Sequence, residues 1–488
     1  MSMRSAWIPT VLVAAWLGCA APQLPAPERA AGPGGSAHYH VRVDESLSTL
    51  WAEVCFAGEP PSAMVPLGSE ASQALVQVYD SEGVEVPLPA DRRRIPLARF
   101  GPGDCLHYEV DLLAANRQSR MTLRRRGDLL ITQALWLWAP SQRPDTAVCS
   151  VAFELPLGMY ASVPWAREGD RYLLDESAFR TAGNTVFTFQ EPRRFERAGV
   201  AIEVARLPGP LEADGEDLEA WIGAATEAVA GLYGTFPRDR LHVVVVPAGP
   251  GRSPVAFGLV RRGGGASVML LVHEQASRRE LVADWTAVHE LSHLTMPLMR
   301  GEDAWVSEGV ATYYQEVLQV RAGNQPEEEA WAALLEGFGR GATVGTRRTL
   351  ADEAEEMHET GAYRRVYWAG TAFALEADVA LRTEAGVSLD QMISRSQGAW
   401  PRRQTWQRGA MMHRFDRLAG SDLLVPLAER FADEREFPAM GELLGRLGVS
   451  MVRGRVVLAD DAPLAHVRRA IMSPLPASPH ERDRPRKN

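Results

Sequence analysis

Two histidines four residues apart, with a glutamate directly after the first, stand in the string His289-Glu290-Leu291-Ser292-His293. On a helix, positions four apart share a face with Cβ atoms roughly 6 Å apart, so both imidazoles can reach one Zn2+ at ~2.0–2.1 Å. Glu290 is turned about 100° from His289 and can hold a water beside the ion without being a ligand. Zinc lowers the pKa of water from about 15.7 toward about 7, so a carboxylate there can take its proton at neutral pH. With 11 histidines in 488 residues, a chance match to this pattern is on the order of one in fifty, and the context has to carry the rest. A catalytic zinc takes three protein ligands and keeps a fourth position open. Glu308, in Trp305-Val306-Ser307-Glu308-Gly309, follows His293 after 14 intervening residues. That length suits a helix end, a turn at Gly301 and a returning helix. A carboxylate there completes a His289, His293, Glu308 site for one zinc per chain.

The elements that must position these groups follow from apolar patterning. Residues 278–296 predict one helix, with Leu281, Trp285 and Val288 on its apolar face and Pro297 closing it. Residues 305–314 predict the second helix. Upstream, Leu218, Trp221, Ile222, Ala225, Val229 and Leu232 form a helical stripe, and the apolar run 241–246 suits a buried strand. A glycine-rich turn at 261–265 precedes a strand over Ala266–Val272, which either pairs with an extended substrate or is an ordinary sheet strand. From 278 to about 472 nearly every segment reads helical. Residues 337–345 are glycine-rich without phosphate-binding spacing and predict a loop between helices. Asp352, Glu353, Glu355 and Glu356 read as a solvated helix face beside His358. His242 and His273, in or after apolar strands, read as hydrogen-bonded structural residues.

From 38 to about 206 the pattern changes to short runs separated by Gly, Pro, Asp and Ser. Strands are expected over 38–43, 50–56, 74–79, 107–112, 134–138, 151–155, 186–189 and 200–205, the spacing of a sandwich or open barrel.

The two zinc motifs together resemble the gluzincin metallopeptidases, specifically the glycyl aminopeptidase family and its aminopeptidase N relatives. Those families pair a His-Glu-x-x-His helix with a Trp-x-x-Glu-Gly segment. The resemblance covers, by layout, roughly residues 38–472, and only the two motifs are specific. It implies an α+β multidomain fold: an all-β sandwich-like N-terminal domain (38–206), a thermolysin-like catalytic domain (207–345) and a helical C-terminal domain (346–472). It also implies zinc on His289, His293 and Glu308, with Glu290 as general base. Tyr367-Trp368-Ala369-Gly370 resembles the families' Tyr-x-Lys-Gly segment, whose tyrosine stabilises the tetrahedral intermediate. A phenol O–H aimed at a developing oxyanion does that work. Ala369 stands where the families have lysine, a helix tyrosine in the core is the alternative, and Tyr313 and Tyr314 compete for the role. The Gly-x-Met-Glu-Asn string, whose glutamate binds a substrate's free amine, is missing upstream of His289, so exopeptidase specificity does not carry over. The segment after Gly448 is too short for the PDZ module of the glycyl aminopeptidase family.

At the N-terminus, residues 1–18 read as a signal peptide: Arg4, then an apolar run of about 12 residues, shorter than the ~20 that span a bilayer. The run ends Trp16-Leu17-Gly18-Cys19, which resembles a bacterial lipobox with Trp16 in place of the usual leucine; a plain secretory signal is the alternative. Residues 19–37 read as a Pro- and Gly-rich tether, and 473–488 as a disordered tail. Cys55, Cys105 and Cys149 remain. Export permits a Cys55–Cys105 disulfide, and three buried thiols are the alternative. Lys plus Arg is 52 against 62 Asp plus Glu, a net charge of −10, which gives no footprint for nucleic acid. These observations predict an exported zinc metallopeptidase acting on a peptide or protein and held at a membrane only through a lipid on Cys19. The alternative is a catalytically inactive zinc-binding protein of the same fold that serves as an envelope binding or scaffold protein.

Overall fold

The computed structural model describes residues 33–119, 122–344, 347–397 and 405–474. The expected signal segment, Cys19, most of the tether and nearly all of the C-terminal tail lie outside them. Among the described residues no helix is long and apolar enough to cross a membrane.

Strict alternation in the N-terminal strands builds two sheets on one core. In Thr49–Phe56, Leu50, Ala52, Val54 and Phe56 point inward while Trp51, Glu53 and Cys55 face out. The larger sheet has the order Ala166–Glu168, Arg171–Leu174, Cys149–Glu154, Ala37–Val43, Thr49–Phe56, Cys105–Asp111, Leu75–Asp80. The smaller has the order Tyr160–Ser162, Asn184–Thr188, Asp128–Thr132, Leu123–Arg125. Tyr39, Val41 and Leu50 of the first share a core with Leu129, Ile131 and Phe187 of the second, which makes the unit a sandwich. Cys55 and Cys105 are cross-strand partners joined by a disulfide, and Cys149 is a buried free thiol. Residues 134–138 depart from the expected strand. Thr132 caps a single 3-10 turn, Gln133–Leu135, and only Trp138–Pro140 is extended. A continuous apolar run is buried in either conformation, so its periodicity does not discriminate.

The second unit is a five-stranded sheet in the order Arg193–Arg197, Val200–Arg206, Arg240–Pro247, Ala266–Val272, Val255–Arg261. Val200–Arg206 runs parallel to Arg240–Pro247 with the helix Gly215–Ala230 between them in sequence, so the sheet beneath the site begins before residue 207. Ala266–Val272 lies between Arg240–Pro247 and Val255–Arg261. Both its edges are taken, and the expectation that it might pair with substrate is replaced by the antiparallel edge strand Val255–Arg261. A β-bulge between Val255 and Phe257 and a central Gly258 hide that strand from a search for alternation.

Helices and one hairpin, Val449–Val452 paired with Arg455–Leu458, make up the C-terminal part, with three departures from expectation. The helix over 278–296 is two helices, Arg278–Ala283 and Thr286–Ser292, broken at Asp284, whose carboxylate accepts the Thr286 N–H at 2.8 Å. Gly337, Gly339 and Gly341 lie inside the helix Glu327–Ala342; a Cβ on Gly337 would stand 2.2 Å from the Trp368 ring and one on Gly341 2.4 Å from the Phe437 ring, so these two permit close packing instead of forming a loop. Glu353 faces inward and pairs with buried Arg365 at 2.6 Å, so that acidic patch is not wholly solvated.

One helix crossing fixes the motif glycines. Helix Ala304–Arg321 carries Glu308 and helix Tyr363–Ala380 carries Tyr367. A Cβ on Gly309 would lie 2.0 Å from the Gly370 carbonyl carbon, and one on Gly370 would lie 2.1 Å from the Trp305 carbonyl oxygen. Backbone meets backbone, and nothing there can rotate away. Gly309→Ala is therefore expected to cost about 3 kcal/mol of stability and to weaken metal retention, read by denaturant unfolding and metal analysis. Unchanged stability would contradict this crossing.

Candidate metal centre

The short helix Thr286–Ser292 and the 3-10 turn His293–Thr295 that continues it present His289 and His293 on one face. Both ends of this segment are held. Asp284 fixes the start, and the backbone N–H of Val255 on the edge strand lies near its carboxylate. At the other end the buried Arg262 guanidinium donates to the carbonyls of His293 and, at 2.9 Å, Met296, satisfying acceptors that a helix end leaves open. Glu308 arrives from the first turns of Ala304–Arg321.

The three groups converge. His289 Nε2 and His293 Nε2 are 3.2 Å apart, and Glu308 Oε2 lies 3.6 and 3.5 Å from them. A point equidistant from the three atoms lies about 2.0 Å from each, the length of a Zn–N or Zn–O bond. Glu308 Oε2 is buried without a hydrogen-bond partner, a costly state for a carboxylate oxygen unless a cation meets it. His289 Nδ1 faces Gln315 Oε1 at 2.9 Å, and the Gln315 amide nitrogen donates to Glu316 at 2.9 Å. That second bond fixes the amide orientation, so Nδ1–H donates and Nε2 turns its lone pair to the centre, as a metal ligand requires. The donor set and its spacing fit zinc.

Charge follows geometry. Burial raises the Glu308 pKa, but the neighbouring imidazoles outweigh it and hold the carboxyl well below its usual range. Burial lowers that of His289, but the nearby carboxylates of Glu308 and Glu290 and the Gln315 hydrogen bond raise it overall. Glu290 is pushed up by burial, partly offset by His289 and His293 and by the Val260 N–H of the edge strand, which lies near its carboxylate. The Tyr367 ring stacks on His289 at 6.0 Å, and its hydroxyl lies near Glu308.

The other candidates separate cleanly. Tyr313 and Tyr314 are fully buried and donate to Asp378 at 2.8 Å and Asp390 at 2.9 Å, away from the centre. His242 lies between Ser267 and Ser162, and burial pushes its pKa down to about 4, so it is a neutral core group. A cluster of Glu53, Cys55 and Cys105 is also close-set, but a disulfide offers no thiolates. Gln315, Arg262 and Asp284 were not foreseen. Gln315 carried a legible signal: it lies seven residues after Glu308, two turns along the same helix face.

No known family profile matches the sequence, and no curated protein does. The fold does find counterparts among solved structures. An aminopeptidase N family protein from Idiomarina loihiensis superposes with a TM-score of 0.67 at 15% identity, covering 85% of this chain and 78% of that one. An M1 zinc metallopeptidase from Deinococcus radiodurans gives 0.52 at 16% identity, covering 83% and 94%. A mutant of the latter bound to a Tyr-Ser-Ala substrate gives 0.52 at 15% identity, covering 83% and 94%. The chain thus has the mixed α+β fold of the M1 zinc metallopeptidases, the architecture that its gluzincin resemblance implied.

Protons and a divalent ion compete for the same three atoms. The raised pKa of His289 means that the metal-free site keeps the stabilisation of this pair below the free-imidazole value of 6.5 and loses it as pH climbs through the raised value. The increase in Tm on adding zinc is therefore expected to grow from about pH 6 to about pH 8. An increase independent of pH would contradict the assignment.

Proposed function

We propose that the protein is a zinc-dependent metallopeptidase of the gluzincin, M1-like type. The observation that carries the reading is the buried triangle of His289, His293 and Glu308 with Glu290 beside it. Zinc held there supplies Lewis acidity, lowering the pKa of water and polarising a carbonyl. Glu290 takes the water's proton as general base and returns it to the leaving amine. Its raised pKa, set by burial, brings it closer to neutral operating pH, where such transfer is most efficient. Tyr367 remains protonated, because burial and then the Glu308 charge push its pKa up. Its O–H can turn from Glu308 to an oxyanion at the reacting carbon.

The edge strand supports a peptide substrate. Its Val260 N–H points to Glu290 and its Val255 N–H to Asp284. Gly258, between them, lies against Glu290 and Thr286, where a Cβ would stand 2.6 Å from Glu290 Cγ, so the bare backbone lets this carboxylate sit close to the strand beside which a peptide would lie. The similar Deinococcus radiodurans mutant is bound to a Tyr-Ser-Ala peptide substrate, which supports the same reading. Ala369 and the missing amine-binding glutamate favour an inactive zinc protein. Against that stands Glu290: a buried carboxylate with so few partners costs stability, which an inactive scaffold has no reason to bear.

Export and anchoring through Cys19 belong to the same proposal. The Cys55–Cys105 disulfide supports an oxidising compartment. Palmitate labelling should mark the wild type and not Cys19→Ser; equal labelling would remove the anchor.

Glu290→Gln should retain zinc and lose peptide hydrolysis by about 10³-fold or more, and Tyr367→Phe should lower kcat by about 10²-fold with little change in KM. The wild-type kcat/KM should fall on the acid side at a pH above the usual glutamate range, following the raised Glu290 pKa. Chelator-insensitive hydrolysis, or full activity of Glu290→Gln, would overturn the mechanism.

A further inference from the structure

The break at Asp284 turns Trp285 out of the apolar face on which a continuous helix would have placed it. Its indole is 48% exposed and meets the His289 ring edge-on at 5.6 Å. His289 also stacks on Tyr367, and Tyr363, one turn earlier on the same helix, meets Tyr367 edge-on at 6.3 Å. Tyr363 is 38% exposed, and His358 Nδ1 holds its hydroxyl at 3.0 Å. A continuous aromatic wall thus runs Trp285, His289, Tyr367, Tyr363, with a candidate metal ligand inside it and an exposed ring at each end.

Core packing does not account for these two end rings. Trp136, Trp138, Trp165, Trp221, Trp305 and Trp331 are all almost wholly buried, so an indole left half in water beside the candidate centre is unlike most of its kind. Asp284, the residue that breaks the helix and so places Trp285, lies beside Val255 at the start of the edge strand. Trp285 therefore stands near the end of that strand from which a peptide would run toward Glu290. Exposed rings with free faces gain most from another ring or a large apolar side chain, through buried area and edge-to-face contact.

We propose that the wall ending in Trp285 and Tyr363 forms a binding surface for aromatic or large apolar side chains of the substrate beside the bond that is cut. The proposal rests on the peptidase reading and names its substrate class. Trp285 and Tyr363 set specificity here; they do not take part in the proton transfers.

The test has two arms on the full chain, with zinc content measured for every variant. In the first, internally quenched peptides that differ only in Phe or Ala at one position are compared by kcat/KM. The wild type is expected to prefer Phe by about tenfold or more, and Trp285→Ala to lose most of that ratio through KM. Trp285→Phe should restore it, and Tyr363→Ala should lower it. In the second arm, the Glu290→Gln variant is titrated with the same peptides and quenching of indole fluorescence is followed; the Phe peptide should bind more tightly. Hydrolysis without a preference for Phe, or a preference that survives Trp285→Ala, overturns the subsite and leaves the peptidase reading standing. Selective binding with no zinc-dependent hydrolysis overturns the peptidase reading and leaves the subsite standing. Neither binding nor hydrolysis overturns both.

Discussion

The Nε2 atoms of His289 and His293 face each other across 3.2 Å, with a Glu308 oxygen closing the triangle. Two lone pairs and a carboxylate at such spacing, out of water, repel unless something positive lies between them. A proton relieves part of that repulsion; a divalent ion relieves all of it. The surrounding structure reads as a device for holding this unfavourable arrangement in place. Asp284 and Arg262 hold the two ends of the histidine segment, Gln315 sets the tautomer, and the Gly309–Gly370 crossing brings the third ligand within reach.

The β-rich unit bears on the same site. Its smaller sheet shares an apolar cluster with the five-stranded sheet, where Leu130 and Val186 meet Val244, Val246 and Met269. Ser162 of that smaller sheet bonds both His242 and Glu203, and Asn184 bonds Ser267. The buried strands Arg240–Pro247 and Ala266–Val272 are thereby covered on the face away from the histidine helix. The strand Val255–Arg261 borders the sheet on the side of Glu290.

Much of the centre was legible in the sequence because helix geometry is local. The spacing of His289 and His293 and the step to Glu308 follow from a 3.6-residue turn and a return helix, Tyr367 was offered only by the family resemblance, and the structure brings these residues together. The alternating strands over 37–43, 49–56 and 105–111 were legible for the same reason. What escaped was decided by distant contacts. The edge strand carries a bulge and a glycine and so shows no alternation. The glycines in Glu327–Ala342 looked like loop residues because the ring that needs the space, Trp368, lies in another helix. Glu353 looked solvated because its partner Arg365 is in the next helix. The break before Trp285 contradicts a good helical pattern, and such a conflict between local preference and structure is expected where a site needs a residue elsewhere.

X-ray absorption at the zinc edge on purified, zinc-loaded protein tests the central claim most directly. The account predicts two imidazole nitrogens and one carboxylate oxygen at ~2.0–2.1 Å with one further light-atom ligand, and loss of one imidazole contribution in His293→Ala. A spectrum with sulfur ligands, with a single imidazole, or unchanged in His293→Ala would contradict it.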